Sequence, residues 1–263
     1  MKKYWAIFKI TWQNAVEYRM EFLAHMVLGL ITLLVMYFIW SAVFEGRTYL
    51  GNYTFSSMMT YLVMVRFLHF VRRTSPVRII ADEIKEGKIS AYLIKPVSYL
   101  RWWLAAFLAE RIFESILRIL MLFVFLILFP KIFNFPGTFN FLVILFFIGI
   151  SLVLNYLFNL LISLFAFFVT DVRLFRSTVI MACDFFAGSL IPIDLMPGVL
   201  KKIGLLLPFQ FWIYFPIKLY QGDLTQNQIV GGMSLLFVWL LIFIFIVKYL
   251  WQKGIRTYEA IGQ

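Results

Sequence analysis

The chain has 263 residues, of which 63% are hydrophobic, 20% aromatic and only 14% charged, far from the roughly 45–50% apolar usage of soluble domains. This is the composition of an integral membrane protein and excludes an ordinary soluble enzyme. The net charge of +11 is carried by bases lying between apolar runs, which fits anionic lipid headgroups and excludes a nucleic-acid partner; one cysteine, Cys183, and two histidines, His25 and His69, leave no disulfide framework and no metal-ligand cluster.

In residues 1–21, Trp5, Phe8, Trp12, Ala15 and Val16 recur at helical spacing opposite Lys2, Lys3, Lys9, Gln13 and Glu17. The reading is a helix lying in the interface, with a plain lead-in to the first span as the alternative. Phe22 to Phe44 carries no formal charge over 23 residues, about 34 Å as a helix, and forms the first span. The second, roughly Thr54 to Val71, carries Arg66 and His69 in its last turns, where long side chains reach the headgroups.

The most patterned charged stretch follows, within a cytoplasmic loop over residues 72–103. Ser75 caps, Pro76 suits the first helical position and Gly87 offers the left-handed residue that closes a helix. Val77, Ile80 and Ile84 share one face, with Asp82, Glu83, Lys85 and Glu86 toward the other. Such an amphipathic helix needs a partner for its apolar stripe. Trp102 and Trp103 beside Arg101 mark re-entry into the bilayer.

The third span, roughly Ala105 to Phe129, carries Glu110, Arg111, Glu114 and Arg118. Glu114 and Arg118 are i, i+4 neighbours and read as an intramembrane ion pair that positions the helix, the alternative being a transport role. From Thr138 to Thr170 no residue is charged, and Ser151, Asn155, Asn159 and Ser163 recur every four residues. That stripe either packs against other helices through hydrogen bonds or lines a substrate route. The fifth span, about Leu174 to Ile191, contains Asp184 near its middle, which is either a partner for the stripe or a group of the pathway. Residues 192–222 contain Pro208 and Pro216 and an uncharged core of only 15 residues, Ile203 to Ile217, too short for a crossing and suited to an outer re-entrant pair of helices. The last span runs from about Ile229 to Val247.

The expected fold is therefore all-α: one polytopic domain over residues 1–263, with six transmembrane helices, the interfacial helix, the cytoplasmic helix and the re-entrant segment. Six spans leave 19 Lys and Arg on one side and 5 on the other, Arg47, Lys131, Lys201, Lys202 and Lys218, which puts both termini in the cytoplasm of a cell-membrane protein.

Gly87-Lys88 is followed by Ile89 rather than Ser or Thr, so no phosphate-binding loop is present. No Ser/His/Asp or Cys/His arrangement is recognisable either. The order of elements, carried by EIKEGKISAYLIKP from Glu83, IPIDLMPGVLKKIGLLLPFQFWIYFPIKLYQGD from Ile191 and WQKGIRTYEAIGQ from Trp251, resembles the membrane subunit of a type-two ATP-binding-cassette exporter over essentially the whole chain. The resemblance implies a non-catalytic permease that pairs with a second permease, like or unlike. Two cytoplasmic ATPase subunits would supply ATP and Mg, with nothing bound directly by this chain. Val77, Ile80, Asp82, Glu83, Ile84, Glu86 and Gly87 would then form the coupling helix, seated in an ATPase groove, and the cargo would be an amphipathic, drug-like, peptide or lipid-like molecule. A passive channel or scaffold, or a membrane-embedded enzyme, are the competing readings. A channel has no need of an amphipathic cytoplasmic helix, and an enzyme needs a catalytic cluster.

Overall fold

A computed structural model describes residues 9, 10, 13, 19–72, 76–89, 98–109, 112, 138–169 and 172–257. Most of the expected interfacial helix, most of the third span with Glu110, Glu114 and Arg118, the loop residues 90–97, Asp171 and residues 258–263 lie outside the described residues. Within them the fold is all-helical, apart from one isolated bridge between Leu50 and Tyr53.

The long apolar runs make the long helices: α1 (Arg19–Val43), α2 (Phe55–Arg72), α5 (Thr138–Leu164) and α9 (Gln226–Thr257). Shorter ones are α3 (Pro76–Lys85), α4 (residues 99–109), α6 (Val172–Phe186), α7 (Gly198–Leu206) and α8 (Tyr214–Gln221). Among the described residues, Phe141–Phe167 and Gln226–Arg256 are the two stretches both long and apolar enough to cross a bilayer. Six crossings are thus not established: α6 has 15 residues, about 22 Å against a hydrocarbon core of about 30 Å.

The fifth span was expected to continue to Ile191, and the structure stops it at Phe186. Gly188 has φ +84°, its N–H bonds the Phe185 carbonyl at 3.0 Å and the Ser189 N–H bonds the Asp184 carbonyl at 3.2 Å. This left-handed cap ends the helix although the sequence stays apolar. Gly87 closes α3 in the same way, with Lys88 N–H on the Glu83 carbonyl at 3.0 Å, as its position predicts.

α5 is the hub, with α9, α3 and α8 packed around it. Between α6 and α9 the chain forms a helical hairpin. Pro192, Pro197 and Pro208 each stand before or at the start of a helical turn, where a missing N–H costs nothing. The tip, residues 207–213, reaches the middle of α5 and α9: Ser151 Oγ donates to the Phe211 carbonyl at 2.6 Å, Trp239 Nε1 to the Leu206 carbonyl at 3.0 Å, and the Phe209 and Trp212 rings flank Phe158. Its base returns to the end it left. Lys218 Nζ lies 2.9 Å from Asp194, 2.8 Å from Asp223 and 4.3 Å above the Tyr53 ring. Tyr53 donates to Asp194 at 3.0 Å, and burial together with that carboxylate pushes its hydroxyl pKa well above the ordinary range. α9 is held close at two glycines: a Cβ at Gly232 would strike the Phe215 ring, and one at Gly254 the Phe167 ring.

Candidate functional site

Two constellations emerge from this scaffold. The first is the polar stripe of α5, whose four members are all buried, Ser151 at 6%, Asn155 at 3%, Asn159 at 5% and Ser163 at 1% exposure. The i, i+4 spacing that puts them on one face also lets Asn159 and Ser163 each bond the member one turn before. Asn159 Nδ2 donates to the Asn155 carbonyl and Ser163 Oγ to the Asn159 carbonyl, both at 2.9 Å. Contacts beyond α5 tie the stripe to its surroundings: Ser151 holds the hairpin tip through Phe211, and Arg176 Nη2 on α6 donates to Asn159 Oδ1 at 3.1 Å. The stripe faces protein.

Asp184 does not complete it. Its carboxylate pairs with Arg72, the last residue of α2. The same guanidinium lies 4.8 Å from the Trp212 ring centroid and 3.2 Å from His69 Nδ1. Arg72 and Trp212 also line, with Ser151, a small void between α2, α5 and the tip. Three elements, α2, α6 and the hairpin tip, therefore converge on one guanidinium. In the sequence Arg72 reads as a stop signal, and its partner stands 112 residues away, so no local spacing connects them. The lone acid in an apolar helix was the signal available.

The second constellation surrounds α3. Its apolar stripe was expected to be open to another protein, and the structure covers it with the chain's own residues. Ile80 is fully buried and Ile84 4% exposed, because α3 packs across the end of α5 and the turn at Phe165–Phe167. The side chain of Val77 lies outside the described residues. Glu83 is also internal: its Oε2 accepts from Tyr99 Oη at 2.7 Å and Trp103 Nε1 at 3.2 Å. Tyr99 in turn stacks flat on Trp251 of α9 at 5.2 Å. Burying a carboxylate is costly unless donors surround it, and here α4 supplies them. What α3 turns outward is Ile79, 49% exposed, and the exposed Glu86, which is 2.5 Å from Lys88 Nζ. Contact with Glu86 raises the Lys88 pKa.

The α3 end and the hairpin end thus lie at opposite ends of α5 and α9. A family model described as ABC-2 family transporter protein matches residues 30–262. The chain belongs to the ABC-2 transporter family. No curated protein matches it. As an ABC-2 permease it is a membrane component of an ATP-binding-cassette transporter, and the match spans α3, the polar stripe and the hairpin together. The ABC-2 assignment agrees with the resemblance carried by the three sequence stretches, and it covers α2 to α9 in full.

Proposed function

We propose that this permease moves an amphipathic substrate outward across the cell membrane, with six crossings, both termini in the cytoplasm, and ATP hydrolysed by a separate subunit docked at the α3 end. A second permease subunit, the same or a related chain, would complete the pathway. The observation that carries the reading is the position of α3. It is a short amphipathic helix packed on the end of α5, with Ile80 and Ile84 buried, and bonded to α4 through Glu83, with Ile79 and Glu86 left outward. A partner pushing on the outward face would move the helices through contacts already made, without those contacts having to form first. The coupling role therefore divides between two faces: Ile79, Asp82 and Glu86 would meet the ATPase, and Ile80, Glu83 and Ile84 would transmit.

The test is co-purification. Ile79→Asp with Glu86→Lys should leave the permease in the membrane at normal levels and strip it of its ATPase, because an exposed apolar anchor and its neighbouring charge are both inverted. Lys201→Glu with Lys202→Glu, at the opposite end, should retain it. Ile80→Asp should lower the amount of folded protein instead. If Ile79→Asp with Glu86→Lys keeps the ATPase bound, the docking face is wrong.

A further inference from the structure

At the hairpin end, a cleft of about 590 Å³ opens between α7, α8 and the first half of α9, within the range of about 300–1,000 Å³ usual for small-molecule sites. We infer that it binds a zwitterionic amphiphile of the phosphoethanolamine type, with the phosphate at Lys201, the ammonium at Asp223 and an apolar chain along α9.

The charges select the headgroup. Two lysines, Lys201 and Lys218, and two aspartates, Asp194 and Asp223, line the cleft, so their formal charges cancel. They are not equally available. Lys218 is 4% exposed and is held by both carboxylates, while Asp194 also accepts from Tyr53 through both of its oxygens. That leaves Lys201, which has no side-chain partner among the described residues, and Asp223, whose Oδ2 accepts from Lys218 while the side chain stays 47% exposed. One unpaired cation and one half-open carboxylate lining the same cleft match a ligand carrying both signs. A purely anionic headgroup would satisfy Lys201 and meet Asp223 with like charge.

Glycine supplies the room for the chain. Leu205 and Phe215 line the cleft from the hairpin, and Gly231 and Leu235, one turn apart, line it from α9. A Cβ at Gly231 would meet nothing within 4 Å, unlike one at Gly232, which would strike Phe215. Glycine is disfavoured in a helix interior relative to alanine, and at Gly231 no packing contact calls for it. Its missing side chain widens the cleft.

The inference stands apart from the transport reading, because lipid retention is measured without ATP. The full-length chain, purified in mild detergent, is mixed with equal amounts of phosphatidylethanolamine and phosphatidylglycerol, and the lipid it retains is counted by native mass spectrometry. Phosphatidylethanolamine should be retained in preference. Gly231→Trp, which fills the cleft, and Lys201→Glu should each lower its retention about fivefold or more, the loss of a single good contact. Asp223→Asn should erase the preference over phosphatidylglycerol. Gly149→Trp is the control, since Gly149 is exposed on α5, outside the cleft, and a Cβ there also meets nothing within 4 Å. If Gly231→Trp and Gly149→Trp retain lipid equally, the lipid is only the boundary layer and the site is withdrawn. Preferential retention of phosphatidylglycerol overturns the headgroup assignment. Should Gly231→Trp unfold, Lys201→Glu, on a partly exposed side chain, decides alone.

Discussion

Replacing Arg72 by Gln removes one charge from a point where α2, α6 and the hairpin tip meet. The Arg72 side chain is 11% exposed and that of Asp184 27%, so the pair stands between the two measured extremes. Stripping one partner from a fully buried pair costs about 3–5 kcal/mol, whereas exposed pairs contribute about 0.2–1 kcal/mol. With a quarter of the carboxylate still able to find water, about 2 kcal/mol is the expected share of the ion pair. The guanidinium also leaves the Trp212 face, worth about 0.5–2 kcal/mol. Arg72→Gln should therefore destabilise by about 3 kcal/mol in total. Asp184→Asn keeps a hydrogen-bonding side chain opposite Arg72 and should lose only about 1–2 kcal/mol, less than Asp184→Leu. The assay is a double-mutant cycle on denaturant unfolding of the purified permease in detergent, with the double variant no worse than Arg72→Gln alone. Additivity of the two single losses within about 0.5 kcal/mol would show that the two residues do not interact, and the argument that Arg72 ties the end of α2 to α6 would fall with it.

Three further outcomes follow from the same packing. Glu83→Leu removes the acceptor of the Tyr99 hydroxyl and the Trp103 indole, a loss of about 2–4 kcal/mol, while Glu83→Gln keeps an acceptor and should melt closer to the parent; equal melting of the two variants would refute the carboxylate's role. Gly188→Val should fail to accumulate, because φ is +84° and a Cβ would sit 2.7 Å from the Tyr61 hydroxyl; membrane levels near wild type would refute it. Tyr53 has a raised pKa, so its contribution to stability is complete below the unfolded value of about 10 and declines as pH rises above it. Tyr53→Phe should flatten the fall in melting temperature measured between about pH 9 and 11, and an unchanged slope would remove Tyr53 as its cause.

The sequence discloses those features whose cause is local. α3 runs from Pro76 to Lys85 and closes at Gly87, because capping chemistry is set by a few adjacent residues. The stripe on α5 is turned away from lipid as its four-residue period leads one to expect, since a polar face in an apolar helix turns to protein or water. The end of α6 was misplaced because residues after Gly188 remain apolar, and hydropathy does not register a left-handed turn. What covers Ile80 and Ile84 was also out of reach. Periodicity shows that a face is buried, and only the tertiary fold shows that the cover is the end of α5 and not another protein. Glu83 was assigned to the outward side for the same reason: the donors that neutralise it, Tyr99 and Trp103, come from the next helix. Arg72 with Asp184, and Lys218 with Asp194, are pairings between distant segments that leave no mark in local spacing.

The two close contacts of α9 govern how this molecule can move. Gly232 and Gly254 stand 22 residues apart, about 33 Å along the axis, and each is a notch occupied by a ring from a different part of the chain. A rod keyed at both ends can neither spin nor slip. Advancing α9 by one turn, about 5.4 Å, would replace each glycine under its ring by a residue with a side chain, and both keys would jam together. Phe215 and Phe167 therefore travel with α9, so the hairpin and the platform beneath α3 shift as one piece with it. Any opening must then fall along a seam that α9 does not cross.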